Sequence, residues 1–114
     1  MLTVEKLRDY GADVDEGIRR CMDDKDFYVS LVEMAIPDTK LDELETELAA
    51  KDYGRAFETA HALKGLYANI AVTPVLKPVS EITELLRNRT DTDYSALIAE
   101  AKLQKKRLND LAAD

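Results

Sequence analysis

Residues that cross-link the chain or interrupt helices are scarce in this sequence, and each shortage excludes something. A single cysteine, Cys21, cannot form an intramolecular disulfide, so we expect a reducing, cytoplasmic location. With 4 Gly and 3 Pro in 114 residues, breaks are few, which favours helix. No apolar run approaches the roughly 20 residues that cross a bilayer. The N-terminal residues contain neither the basic region nor the apolar region of a signal peptide, so we expect no signal peptide.

The usual catalytic and cofactor motifs are also missing. One histidine and one cysteine cannot build a zinc site, and neither a phosphate-binding GxxxxGK[ST] loop nor a dinucleotide GxGxxG occurs. We therefore expect that the chain binds no metal and no cofactor, and that it is not an enzyme with an ATP site. The formal net charge of −7 argues against nucleic acid and against an anionic membrane surface as partners.

Apolar residues recur at three- and four-residue spacing almost throughout, which predicts helices and no sheet. Thr3 is a candidate cap for a short helix that stops at Gly11. Asp13 begins a second short helix, with Glu16 at the reciprocal position of a capping box. The apolar stripe of this second helix comprises Val14, Ile18, Cys21 and Met22.

Longer helical segments follow. One spans about 27–36 and ends at Pro37, and the next is capped by Asp38 or Thr39. Another spans about 51–70. The following helix has Thr73 as its predicted N-cap and Pro74 as its first helical residue, or it starts irregularly, as late as Lys77, because of Pro78. The last helix, capped by Thr92 or Asp93, continues to about residue 111.

Short connections between such helices favour antiparallel neighbours. We therefore predict an all-α protein, an up-down-up-down antiparallel four-helix bundle with additional short N-terminal helices. The whole chain, 1–114, is one domain in this interpretation. Its bundle core covers about 27–112, and an N-terminal helical cap covers about 3–23.

The only histidine lies on the outer face of the 51–70 helix. At about 100° per residue, one narrow arc collects the apolar stripe that should face the core: Ala56, Ala60, Leu63, Tyr67 and Ile70. His61 lies roughly 140° from the centre of that arc, so we expect it to face solvent.

Small residues surround this histidine. Gly65 follows one turn later, although glycine costs a helix about 1 kcal/mol relative to alanine. Such a choice indicates close approach by another molecule. We therefore predict a partly apolar docking face around His61: Phe57, Glu58, Ala62, Gly65 and Ala68.

The local charge suits an anionic group. Residues 51–70 contain three cations and two anions, a net of +1, so the rest of the chain carries −8. Lys64 is three residues from His61 and within reach of it. A neutral imidazole is a nucleophile, and a nearby ammonium can hold an anion, so a phosphoryl group on His61 is one interpretation. An exposed histidine without a function is the other.

The stretch AHALKGLYANIA resembles the signature of histidine-containing phosphotransfer (HPt) domains, A-H-x-L-K-G-x-x-x-N-[IL]-G. The matching residues are Ala60, His61, Leu63, Lys64, Gly65, Asn69 and Ile70. The similarity extends beyond this motif and covers roughly residues 27–111, with a weaker N-terminal part. Ala71 departs from the pattern, which usually has glycine there.

The resemblance implies a phosphorelay intermediate. His61 would accept a phosphoryl group from a receiver-domain aspartyl phosphate, or from a sensor histidine kinase, and pass it to a response regulator. Lys64 would neutralise the phosphoryl group, Gly65 would admit the partner, and the receiver would bring Mg²⁺. We expect a monomer. Two alternatives stay open: a helical adaptor that binds receivers through the same face without accepting phosphate, and the substrate domain of a chemotaxis-type kinase.

Overall fold

The structure, a computed structural model, describes residues 1–113, and these contain α-helices and no strand. The helices are, in chain order, α1 (Val4–Tyr10), α2 (Val14–Arg20), α3 (Lys25–Ala35), α4 (Lys40–Ala49), α5 (Tyr53–Asn69), α6 (Thr73–Arg87) and α7 (Ser95–Ala112). The predicted all-α class is confirmed.

Helices α4 to α7 form the antiparallel bundle. α5 packs on α4 and α6, α6 packs on α7, and α4 contacts α7 to close the ring. The inward-facing residues of these four helices meet in one core. Those of α6 in this core are buried: Val79, Ile82, Thr83 and Leu86. The buried Thr83 hydroxyl has a hydrogen-bond partner inside that core, because it donates to the Val79 carbonyl at 2.8 Å.

The predicted caps of the two short N-terminal helices are confirmed. Thr3 Oγ1 accepts a hydrogen bond from the amide three residues later at 3.1 Å. Asp13 Oδ1 does the same for Glu16 at 3.3 Å. Gly11 ends α1 with φ of 113°, a left-handed conformation that glycine adopts without steric cost.

The reciprocal half of the predicted capping box is wrong. The Glu16 carboxylate pairs with Arg19 and Arg20 instead. The Asp13 N–H donates to the carbonyl of Ala71 at 2.9 Å. Because Ala71 lies between α5 and α6, this bond fastens the N-terminal helices to one end of the bundle.

Two further contacts hold the N-terminal helices in place. The Tyr10 hydroxyl donates to the Gln104 carbonyl of α7 at 2.7 Å. Gly17 of α2 lies directly against the ring of Tyr28 on α3, where an added Cβ would fall 2.2 Å from a ring carbon. Gly17 is therefore required by packing.

Most helices end without glycine. At the end of α5, Ala71 has φ of 53°. Its N–H bonds the Ala68 carbonyl at 3.2 Å, and the Val72 N–H bonds the Tyr67 carbonyl at 3.0 Å. These two bonds make a Schellman motif, in which glycine is usual and another residue costs roughly 1–2 kcal/mol. Ala71 thus takes the conformation that explains glycine in the HPt pattern.

The same left-handed ending explains an error in the predicted stripe of α2. Val14 and Cys21 are buried as expected, but Met22 is 91% exposed. The helix stops at Arg20, and Met22 has φ of 58°, which turns its side chain away from the core.

Helix boundaries also shift where a carboxylate supplies a cap. α3 starts at Lys25 because Asp24 Oδ1 accepts from the Phe27 N–H at 3.1 Å. α7 starts at Ser95. This is later than the start predicted with Thr92 or Asp93 as the N-cap. Asp93 Oδ1 accepts from both the N–H and the hydroxyl of Ser95, at 2.9 and 2.6 Å.

α6 starts at Thr73 and passes through Pro78 without a break, so the late start at Lys77 is wrong. Thr73 is the first helical residue rather than the cap, which is Val72. A proline in this position removes one hydrogen bond, the one to the Pro74 carbonyl four residues earlier. Burial of the Pro78 ring in the core offsets that loss.

A buried lysine supports the bundle from inside. Lys105 of α7 is 7% exposed. Its ammonium donates to the Ile36 carbonyl at 2.6 Å and to Asn109 Oδ1 at 3.1 Å. Burial lowers the pKa of Lys105, and Asp38 and Asp42 act in the opposite direction. This lysine fixes the α3–α4 connection to α7, a role that its sequence position did not reveal.

Candidate functional site

α5 presents the histidine on a rigid support. Its inner stripe is completely buried, with 0% exposure at Ala56, Ala60, Leu63 and Tyr67. Asp52 caps the helix by accepting from the Arg55 N–H at 3.4 Å. Because the inner face is fixed, the outward direction of the other face is fixed as well.

His61 is exposed, as the periodicity predicted. Its ring stacks on the ring of Phe57, one turn earlier, with centroids 5.8 Å apart and planes inclined by 19°. Phe57 is partly buried and packs against the hydrophobic core. The imidazole therefore stands on an anchored aromatic ring with its edge open to solvent.

The surface around His61 is formed by small side chains, so little projects above the helix backbone there. Ala62 and Gly65 are exposed, and Ala68 is partly exposed. A Cβ added at Gly65 would meet nothing within 4 Å. Packing within this chain therefore gives no reason for glycine at Gly65, in contrast to Gly17.

Lys64 is oriented toward the neighbouring helix α6. Its ammonium donates to Glu84 Oε1 at 3.2 Å, and its side chain is 36% exposed. This hydrogen bond is the main reason that the pKa of Glu84 lies below its ordinary value, and Arg87 lowers it further. The predicted cation is thus close to the face, but in this structure a carboxylate already holds it.

Arg87 belongs to the same cluster, although no sequence motif marks it. Its guanidinium lies over the Phe57 ring, 5.2 Å from the centroid, and its Nε is 3.3 Å from Glu84 Oε2. The hydrophobic spacing of α6 predicts that Arg87 is on the surface. It does not say that this part of the surface lies beside Phe57.

An open cleft adjoins the histidine on the side of Phe57. Its volume is about 670 Å³. Glu58, predicted to belong to the docking face, is exposed and lines this cleft. The other lining residues are Tyr53, Gly54, Phe57, Leu86, Arg87 and Arg89. The face around His61 therefore combines apolar surface with two arginines at its edge.

Residues 1–113 contain neither a cluster of metal-ligating side chains nor a membrane-spanning helix. No three His, Cys, Asp or Glu side chains there are grouped so that they could hold a metal ion. In the same range, no helix is both long enough and apolar enough to cross a membrane.

The fold and this face define a helical bundle with an exposed histidine on one of its bundle helices. The family model of the Hpt domain matches residues 36–114, and the chain belongs to that family. Its members are phosphotransfer carriers that take part in histidine phosphotransfer with kinases and receiver domains of two-component systems. No match was found among curated proteins, and none among solved structures.

Proposed function

We propose that this protein is a phosphorelay intermediate that carries a phosphoryl group on His61. It takes the group from a receiver-domain aspartyl phosphate, or from a histidine kinase, and passes it to the aspartate of a response regulator. The observation that carries the proposal is the open face around the exposed His61, next to a glycine that packing does not require. We expect the exchange to take place in the cytoplasm, between monomers of this chain and its partners.

The transfer needs one nucleophile and one leaving group. The unprotonated ring nitrogen of His61 attacks the phosphorus of the aspartyl phosphate, and an N–P bond forms. The P–O bond to the aspartate breaks, and the carboxylate leaves with the electron pair. In the onward step, an aspartate carboxylate attacks the phosphorus and the imidazole leaves.

The chain and its partner divide the electrostatic work. In this proposal Lys64, which follows His61 by one turn of α5, neutralises charge on the phosphoryl group. The receiver supplies Mg²⁺ in this proposal, and no metal is assigned to this chain. No group near His61 is proposed to bind ATP.

The test is phosphoryl transfer from a receiver domain charged with acetyl phosphate and Mg²⁺. We expect an acid-labile, base-stable phosphate on the wild-type chain and none on His61→Gln. Labelling that persists in His61→Gln contradicts His61 as the acceptor. Receiver binding without any labelling of the wild type supports the adaptor alternative instead.

The small residues of the face can be tested separately. Gly65→Gln places a long side chain where a partner would dock, and we expect receiver affinity to fall by about tenfold, or about 1.4 kcal/mol. Helicity should stay or rise, because glycine is the weaker helix former. Ala99→Gln, on the exposed side of α7, is the matched control and should leave affinity unchanged. Equal affinities for the two variants would show that the low surface is incidental.

A further inference from the structure

Two cations beside this face, Lys64 and Arg87, share a single carboxylate. Glu84 uses Oε1 for the Lys64 ammonium, at 3.2 Å, and Oε2 for the Arg87 Nε, at 3.3 Å. Both oxygens are therefore engaged, and both cations are held by one anion. All three side chains are between one-third and one-half exposed, so these pairs can rearrange without unfolding.

Both ion pairs lie close to His61. Lys64 follows His61 by one turn on α5, and Arg87 covers the Phe57 ring on which the imidazole stacks. A phosphoryl group on His61 would bring close to two negative charges to this position at neutral pH. It would compete with Glu84 for the same two cations.

We propose that Glu84 is a resident counter-ion that occupies Lys64 and Arg87 while His61 is unphosphorylated and releases them to the phosphoryl group. This inference rests on the proposed function, and it adds Glu84 and Arg87 to the residues that govern the reaction. Its consequence is that the phosphoryl group binds less tightly than two free cations would allow. Glu84 thereby keeps the phosphoryl group transferable to the next carrier.

The charges decide the direction of the effect. Replacing Glu84 with glutamine removes a negative charge from the neighbourhood of the phosphoryl group and frees both cations. The phosphorylated form should therefore gain stability relative to the unphosphorylated form. For charges this exposed we expect a shift of about 2- to 10-fold in the equilibrium, and a smaller shift in high salt.

The experiment uses phosphoramidate as the probe, so that no partner protein is required. The unprotonated nitrogen of His61 attacks phosphorus, the P–N bond of phosphoramidate breaks, and ammonia leaves. Phosphorylation of the full chain is measured by intact mass spectrometry across a series of phosphoramidate-to-ammonium ratios. The ratio at half-occupancy reports the equilibrium.

Glu84→Gln should reach half-occupancy at a ratio about 2- to 10-fold lower than wild type. Arg87→Gln should need a higher ratio than wild type. The matched controls are Glu81→Gln, an exposed carboxylate of α6, and Arg107→Gln, an exposed arginine of α7, and neither should shift the midpoint. The midpoint is an equilibrium quantity that a general loss of stability would not lower.

A Glu84→Gln midpoint equal to or above that of the wild type overturns the inference. The same holds if Glu81→Gln shifts the midpoint as far as Glu84→Gln does. These failures are distinct from failure of the proposed function. The latter shows as a wild-type chain that a charged receiver does not label, whatever phosphoramidate does.

Discussion

The two faces of α5 use similar residues for opposite purposes. On the inner face, Ala56 and Ala60 are fully buried and allow close packing against the neighbouring helices. On the outer face, Ala62 and Gly65 are exposed, and within residues 1–113 nothing lies within 4 Å of a Cβ added at Gly65. Small residues on the first face serve the fold, and in our proposal small residues on the second face leave room for a partner. Three predictions test this difference, from the largest expected effect to the smallest, and a fourth extends the last of them to alkaline pH.

The largest contrast is in stability. Leu63→Ala opens a cavity on the inner face, where the side chain is 0% exposed, and we expect the free energy of unfolding to fall by about 2–5 kcal/mol. His61→Ala on the outer face should change it by less than about 0.5 kcal/mol. Urea unfolding monitored by circular dichroism measures both. A loss for His61→Ala as large as that for Leu63→Ala would mean that the outer face also supports the fold.

Two of the helical glycines, Gly65 and Gly17, sharpen the comparison, because replacement by alanine should change the free energy of unfolding in opposite directions at the two positions. Gly65→Ala meets open space and should raise the free energy of unfolding by about 1 kcal/mol. Gly17→Ala forces the Tyr28 ring to move and should lower it by about 1–3 kcal/mol. Thermal unfolding of the pair is the measurement. Destabilisation by Gly65→Ala would contradict an empty space above that residue.

The smallest effect concerns the hydroxyl of Tyr67, which is buried on the inner face and has no hydrogen-bond partner in the part of the chain that the structure describes. Tyr67→Phe removes that unsatisfied group, and we expect the free energy of unfolding at pH 7 to rise by about 1 kcal/mol. Tyr10→Phe is the matched control. It loses the bond to the Gln104 carbonyl and should lower the same quantity by about 1 kcal/mol.

The same tyrosines predict a loss of stability in alkali. Burial raises the pKa of Tyr67 and Tyr10, and it raises the pKa of Tyr28 to about 12. Above a pH of about 10 the unfolded chain releases these protons while the folded chain retains them. The free energy of unfolding should therefore fall from about pH 10 upward. Tyr67→Phe and Tyr10→Phe should each make that fall less steep, and an unchanged pH profile would contradict the burial of these phenols.

Much of α5 could be predicted from the sequence because periodicity alone separates its two faces. The buried stripe and the exposed His61 both follow from 3.6 residues per turn. The ends of the helices were less accessible. Met22, Lys51, Ala71 and Arg89 all adopt positive φ where glycine would have been the signal. Their side chains give no indication of the left-handed conformation.

The candidate site was predictable in the part that lies on one helix. His61, Lys64 and Gly65 are close in sequence, so their mutual placement follows from helix geometry. Glu84 and Arg87 lie on the next helix, and their nearness to Phe57 and Lys64 depends on the rotation of α6 against α5. The HPt resemblance supplied the phosphoryl chemistry, and it did not indicate this carboxylate.

The sequence by itself determined that the chain is helical, that its apolar stripes form a bundle core, and that His61 faces outward. Those features depend on helix geometry and on the burial of apolar surface, and the spacing of apolar residues within each helix is enough to predict them. Only the tertiary structure decided what stands beside the histidine. Charged pairs such as Lys64 with Glu84 form between residues 20 positions apart, and only the packing of α6 on α5 brings them into contact.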